Sequence, residues 1–469
     1  MPNWFAYLAL AAWPIVAIYL YATRTIVSAT LWTIMGAYLL LPVGAQIHFE
    51  GIPQFDKDTI GNLSALVGVM LVGRRALRLW NGFGIVEVLL LIFLISPFIT
   101  EELNTDPIVG PNLFLPPGST YDAISAVARQ FLLMIPFFIG RRILRDSTDT
   151  KAILHVLVIA GLFYSLPILF ELRMSPVLNT WIYGYFPSQF DETVRDGGYR
   201  PVVFIGHGLG LAFFVMTTVA AAAAHWQTRA RVTRFSPAGI TGYLGVVLLL
   251  CKSLGPLMYA GALTGLIRLT STKFQAGVAL VLVTIALTYP LLRSADLIPT
   301  NTFISAAAVV NEDRAVSLQT RFDQEQKLLD RAEQRIWFGW GRFGRNLIYD
   351  SYGKDISIPD GEWIIVIGTF GLVGFVAEFG LLGLAVFRAT AAFRFVETPD
   401  DKIYFAALTL ISATNIFDLL PNAALTPWTW LVTGALLGRA ESLRFAARAR
   451  QISVSFGAPA KPRRAIQDG

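Results

Sequence analysis

Charge is scarce in this chain of 469 residues: only 15% are Asp, Glu, Lys or Arg, against about a quarter in an ordinary soluble domain. Cysteine occurs once, as Cys251, which excludes a disulfide framework and a thiolate metal site. Histidine occurs four times, as His48, His155, His207 and His225. There is no P-loop, no glycine-rich dinucleotide fingerprint after a strand, no HExxH and no CxxC. ATP-driven transport and metalloprotease chemistry are therefore disfavoured, and neither metal nor cofactor is expected.

What the chain has instead is apolar length. Hydrophobic residues make up 54% of it, in runs of about 17 or more, enough to cross a ~30 Å hydrocarbon layer as helix. Helix is required because every backbone polar group must be satisfied inside lipid. The expected fold is an all-α polytopic membrane protein with about thirteen transmembrane helices, twelve to fourteen at the limits. The runs cover 4–21, 27–44, 59–73, 83–100, 123–140, 152–171, 201–224, 237–252, 254–268, 275–292, 362–386, 403–419 and 424–438. No Lys or Arg precedes the first, and further spans follow, so it reads as a retained helix and not as a signal peptide. The eighth and ninth are short enough for a re-entrant pair around Lys252-Ser253-Leu254-Gly255-Pro256.

The net charge of +6 sits in short loops and in the tail, which speaks of topology and not of nucleic acid. One alternating set of loops holds Arg74, Arg75 and Arg78, then Arg141, Arg142 and Arg145, then Arg229, Arg231 and Arg234. Arg268, Lys273, Arg388, Arg394, Lys402 and the tail from Arg439 continue it. The opposite set is poor in cations, with Lys57 alone in 45–58 and only acidic charges in 101–122. The positive-inside rule makes the first set and the C-terminus cytoplasmic, and thirteen spans then put the N-terminus outside. This divides the chain into helices 1–10 over 1–292, a large outer segment over 293–361 between the tenth and eleventh helices, helices 11–13 over 362–438, and a basic tail over 439–469, disordered after Arg450.

Two outer segments, 172–200 and 293–361, exceed a simple turn and are candidates for function. The larger holds a helical stretch from Arg314 to Trp337, with Leu318, Phe322, Leu329 and Ile336 near helical spacing. An amphipathic helix on the outer membrane face is expected. Its alternating charges, Arg314, Arg321, Arg331 and Arg335 with Asp323, Glu325, Asp330 and Glu333, read mostly as a solvated, salt-bridged face.

Ionisable residues placed within or beside apolar runs cost several kcal/mol unless they face a cavity or a partner. They are Glu87, Arg129, Glu171 with Arg173, Lys252, Glu378 and Asp418. Pairing that holds the bundle together is the plain explanation, and for Glu87 and Glu378 it is the favoured one. Arg195 and Arg200 flank a Gly-Gly point before the seventh run, and either anchor the interface or grip an anionic head group bidentately. His207 lies close behind them, as a packing histidine or a catalytic one. In Trp337-Phe338-Gly339-Trp340-Gly341, tryptophans among glycines suit an interfacial belt, a sugar platform, or a bend where backbone meets another element. Asp360 and Glu362 stand at the mouth of the eleventh run, able to deprotonate a hydroxyl or to cap the helix, with Asp360 at an N-cap-like position.

In this order the features resemble the O-antigen polymerase and O-antigen ligase superfamily of bacterial envelope glycosyltransferases. Four places carry the resemblance: Arg200-Pro-Val-Val-Phe-Ile-Gly-His207-Gly; Leu250-Cys-Lys-Ser-Leu-Gly255; Ser317-Leu-Gln-Thr-Arg321 leading to Trp337-Phe-Gly-Trp-Gly341; and Asp360-Gly-Glu-Trp363 with Gly368-Thr-Phe-Gly371. The resemblance implies transfer of a glycan from undecaprenyl diphosphate to an acceptor hydroxyl at the periplasmic face of the inner membrane, without metal or nucleotide. Arg321 and Arg200 match the family's diphosphate-binding arginines, and Lys252 stands where an arginine is often found. Asp360 or Glu362 would assist the acceptor, and Arg195, His207, Lys252, Arg129, Arg314 and Trp340 would bind substrate. Ligases carry a histidine late in the large loop, where this chain has none and Asp360 stands nearby, so a polymerase is favoured over a ligase. The partners implied are the lipid-diphosphate oligosaccharide, membrane lipids and, as an open question, a chain-length regulator. A flippase or transporter would predict repeated halves and a polar path to the inner face; no repeat is visible. The outer ends of helices 5 to 9, Arg321 and Asp360 are expected to converge on one cavity.

Overall fold

The computed structural model describes residues 1–49, 52–72, 83–195, 197–310 and 312–456. Arg74, Arg75, Arg78, Asp196 and the tail from 457 lie outside the described residues, as does the side chain of Arg314. The architecture is all-α. The helices are α1 (Trp4–Thr23), α2 (Ile26–Leu40), α3 (Lys57–Val72), α4 (Ile85–Glu102), α5 (Thr120–Ile143), α6 (Ser147–Met174), α7 (Leu178–Tyr183) and α8 (Gly208–Gln227). They continue as α9 (Pro237–Leu250), α10 (Leu254–Leu269), α11 (Thr272–Ser294), α12 (Thr300–Val310), α13 (Glu312–Glu333), α14 (Glu362–Ala392), α15 (Pro399–Asp418) and α16 (Pro427–Phe456). Among the described residues, six of them, α1, α5, α6, α8, α11 and α14, are long and apolar enough to cross a membrane.

Each of the thirteen apolar runs contains a helix, and short polar residues set several starts. Asn3, Thr25, Ser236, Ser271 and Thr398 accept first-turn amides, and Ser119 with Asp122 closes a capping box on α5, satisfying donors that helix geometry leaves free. α9 and α10 are separate helices joined at Cys251–Ser253, where Lys252 takes a left-handed φ of 52°. α16 runs on to Phe456, so the basic stretch from Arg439, including 451–456 where disorder is expected from sequence, is helical. Among the described residues, three pairs of short antiparallel strands, Ile47–Phe49 with Ile52–Phe55, Ile108–Gly110 with Leu113–Leu115 and Val194–Arg195 with Gly198–Tyr199, were not signalled by the apolar pattern.

Small residues let the central helices touch. A Cβ at Gly140 would stand 2.2 Å from Leu431 O, and one at Gly434 would stand 2.2 Å from Phe137 O, the close backbone approach that drives helix association where lipid removes the hydrophobic incentive. At that end of α5, Arg141 pairs with Glu87 at 2.8 Å and with Glu441 at 2.7 Å, so Glu87 is a structural partner. At the other end of α5, Arg342 donates to Asp122 O at 2.6 Å. The 295–361 segment and the candidate site gather at this second end.

Candidate functional site

The stretch 201–207 follows no regular structure, although the apolar pattern continues through it and suggests a helix from 201. α8 instead begins at Gly208, with His207 as its N-cap. A buried carboxylate explains the difference. One oxygen of Glu171, at the end of α6, accepts from Val202 N and Val203 N at 2.8 Å each, and the other accepts from Leu178 N at 3.1 Å. Tyr164 Oη accepts from Phe204 N at 3.0 Å, and the Lys57 ammonium donates to Phe204 O at 3.3 Å and Tyr38 O at 3.0 Å. Amides that a helix would pair internally are paired here by side chains, so Val203 can keep a left-handed φ of 49°.

This stretch fixes Arg200. Its guanidinium is buried and donates to Ser253 Oγ at 2.7 Å and 3.2 Å, a neutral partner. Burial, and after it the nearby Arg195, pulls the group down to about 10, which still leaves it charged at neutral pH. The Lys252 ammonium donates to Arg195 O at 2.8 Å. The Arg200 and Leu250–Gly255 segments are thus one local assembly.

Arg321 comes from α13. It pairs with Asp360 at 3.4 Å and donates to Pro421 O at 3.2 Å. Of the two readings open for Asp360, the helix cap is not the one found: Gly361 holds the N-cap position of α14, and Glu362 N donates to Leu419 O at 3.0 Å. The amide is satisfied by the end of α15, and the Asp360 carboxylate pairs with Arg321. His207 caps α8, its Nδ1 accepting from Leu209 N at 3.2 Å, while Nε2 lies 3.3 Å from Glu192.

Arg195, Arg200, His207, Arg321 and Asp360 line one cavity of about 770 Å³, together with Lys57, Asp58, Glu192 and Asp418. Arg129 and Glu362 do not. They line an adjoining cavity of about 350 Å³ with Arg342 and Glu378. Lys252 borders a shallow groove of about 400 Å³ with Arg173 and Tyr199. Asp418 accepts from Asn422 Nδ2 at 3.0 Å on the wall of the larger cavity. Glu378 departs from the pairing expected for it: it is 5% exposed and its Oε1 has no hydrogen-bond partner.

Trp340 is not an open platform. Its ring is 9% exposed, with the Arg331 guanidinium 3.3 Å and that of Arg335 4.4 Å from its centroid, and Nε1 donates to Arg331 O at 2.7 Å. Burial and cation–π partners therefore leave the ring closed to a stacking sugar. The tryptophan-glycine turn is a backbone dock. α14 breaks at Gly371, with φ 71° and ψ −172°, and the turn seals the break. Trp340 N donates to Gly368 O at 2.9 Å and Gly341 N to Thr369 O at 2.9 Å; in return Leu372 N donates to Ile336 O at 2.7 Å and Val373 N to Trp337 O at 3.1 Å. A Cβ at Gly339 would stand 2.5 Å from the Thr369 carbonyl, and one at Gly371 would stand 2.3 Å from that of Trp337. Arg342 and Arg345 complete the dock, on Glu101 at 3.0 Å and on the Pro116 and Asp106 carbonyls at 2.7 Å and 2.8 Å.

No family model and no curated protein matches this chain. Function is therefore read from the site. Asp58 and Lys57, with Glu192, are charged residues that sequence reasoning missed there; the first two matter most. Their signal was a charged pair at the start of an apolar run, which reads equally well as the end of a loop.

Proposed function

We propose that this chain is a bacterial inner-membrane glycosyltransferase that polymerises undecaprenyl-diphosphate-linked oligosaccharide units of an O-antigen, capsule or exopolysaccharide. In this reading the thirteen apolar helices span the membrane, the N-terminus and the 293–361 segment are periplasmic, and the C-terminus is cytoplasmic. The observation that carries it is the cavity shared by Arg200 and Arg321, two guanidiniums delivered by segments far apart in sequence.

Breaking the anomeric C–O bond leaves an electron pair on the diphosphate, and preorganised cations lower the barrier by meeting charge where it develops. Arg200 is suited to this because its present partner, Ser253 Oγ, is neutral and its charge is not cancelled. Arg321 is suited differently. Its pair with Asp360 is partly exposed, at 40% and 37% of the side chains, and exposed pairs are worth only about 0–1 kcal/mol, so a dianionic head group can take Asp360's place. Both side chains offer forked donors to phosphate oxygens.

The test is purified protein in detergent with a lipid-diphosphate repeat unit, with Arg321→Ala alongside, products being resolved on a gel. A ladder of repeat multiples that the variant fails to make supports the reading. A single transfer to a non-polymer acceptor would point to a ligase, and no product from folded protein with verified substrate would remove the transfer chemistry.

A further inference from the structure

The two cavities adjoin. Asp58, Leu425 and Thr426 line both, and Asp58 is the one ionisable residue they share among the described residues. The smaller cavity, at about 350 Å³, falls in the ~300–1,000 Å³ range of small-molecule sites. Its wall carries the carboxyl groups of Glu362 and Glu378 and the guanidiniums of Arg129 and Arg342, with Trp430 at its side. Glu378 gives an independent sign that something polar belongs there, because its Oε1 is buried without a partner, and a buried acceptor left unsatisfied costs about 1–3 kcal/mol. A ligand that presents hydroxyls in several directions, with apolar ring faces between them, satisfies such a wall. A saccharide is that kind of ligand, and a hydrocarbon chain is not.

We infer that the smaller cavity holds the acceptor saccharide, and that Asp58, at the junction, is the base that takes the proton of its attacking hydroxyl. This rests on the glycosyl-transfer reading and adds to it a second substrate site and a catalytic residue. Asp58 lies in the first turn of α3, and burial, opposed by the neighbouring Lys57, raises its carboxyl to about 6, close to the working pH at which a general base is most effective. Its neighbour Lys57 is committed elsewhere, to the carbonyls of Tyr38 and Phe204. In the step, the hydroxyl proton passes to the Asp58 carboxylate and the hydroxyl oxygen bonds to the anomeric carbon. The bond from that carbon to the diphosphate oxygen breaks, and its electron pair leaves on the diphosphate beside Arg200 and Arg321. Asp58 then returns the proton to water.

The experiment uses full-length protein and Asp58→Asn, Arg129→Ala and Glu362→Gln variants, with two probes: the lipid-diphosphate oligosaccharide, and lipid-free oligosaccharides released by mild acid from the same polysaccharide. Asp58→Asn is expected to lose about 100-fold or more in turnover, with affinity for the lipid donor unchanged. Arg129→Ala, at an exposed position, and Glu362→Gln should weaken lipid-free oligosaccharide binding, read by tryptophan fluorescence, about tenfold. A ladder made at the wild-type rate by Asp58→Asn would overturn the base. Unchanged oligosaccharide binding in both other variants would overturn the pocket while leaving the transfer reading intact. Oligosaccharide binding that needs Arg129, in a protein that transfers nothing, would keep the pocket and remove the transfer reading; neither binding nor transfer would remove both.

Discussion

Substituting Gly371 by alanine should open the dock between the tryptophan-glycine turn and the break in α14. At φ 71° and ψ −172° the backbone occupies a region that essentially only glycine enters, at a cost to other residues of about 1–3 kcal/mol. The added Cβ would stand 2.3 Å from Trp337 C and O and 2.4 Å from Phe338 N, all backbone atoms with no rotamer through which to give way. Separating the strands of the dock puts the Leu372–Ile336 and Val373–Trp337 hydrogen bonds at risk. Their loss adds about 1–3 kcal/mol, for a total of roughly 2–6 kcal/mol. Gly380→Ala is the control in the same helix: its Cβ would meet only the Leu89 methyls, at 3.5 Å, and alanine inside a helix is favoured over glycine by about 0.5–1 kcal/mol. Size-exclusion traces of heated, detergent-solubilised protein give apparent melting temperatures for both. Gly371→Ala should melt well below wild type and Gly380→Ala at or above it. If Gly371→Ala melts with the control, the turn does not hold α14 and the dock is an incidental contact.

Arg200→Lys keeps the charge but loses the fork, so transfer should fall about tenfold or more at an unchanged melting temperature; full activity in a transfer assay would show that Arg200 acts as a point charge only. Glu171→Gln sets an amide NH₂ among the Val202, Val203 and Leu178 amides that now share two carboxylate oxygens, costing about 1–3 kcal/mol and exposing 195–207 to protease in limited digestion. Glu325 on α13 is held above its ordinary value of 4.5, burial outweighing its bonds to Tyr289 and Arg293. A raised folded value means that its contribution to stability is complete below 4.5 and is lost as pH rises through the higher folded value. The melting temperature of wild type should therefore fall relative to Glu325→Gln as pH rises from about 4.5 into the range above it, and parallel pH curves for the two proteins would remove the effect.

Apolar length carried the helix positions because lipid and a helical core ask the same thing of a run of side chains. It failed where a side chain replaced a backbone bond. The stretch from Pro201 to His207 is as apolar as a helix, and side chains distant in sequence, above all the carboxylate of Glu171 some thirty residues away, turn it into the loop that places Arg200. The charges inside apolar runs were legible as exceptions but not as roles. Glu87 and Glu378 look alike in sequence, yet one meets Arg141 across the bundle and the other faces a cavity with an oxygen unpaired. Spacing along one helix cannot show which helix will lie opposite.

The same limit explains Trp340. Tryptophan between glycines is readable as a place where backbone comes close to something, and both Gly339 and Gly371 are glycine for that reason. The thing approached lies some thirty residues on, and the arginines beside the ring come from the last turn of α13 (Arg331) and from the turn that follows it (Arg335). Docking the turn ties the end of α13 to the first part of α14. α13 carries Arg321, whereas Glu362 and Asp360 stand at the start of α14. The distance between the cation that faces the larger cavity and the carboxylate that faces the smaller one is therefore set by a backbone joint that touches neither. A substitution that loosens this joint should disturb both cavities together, whereas Arg321→Ala or Glu362→Gln should disturb one. That difference separates a scaffold for two substrates from two unrelated pockets.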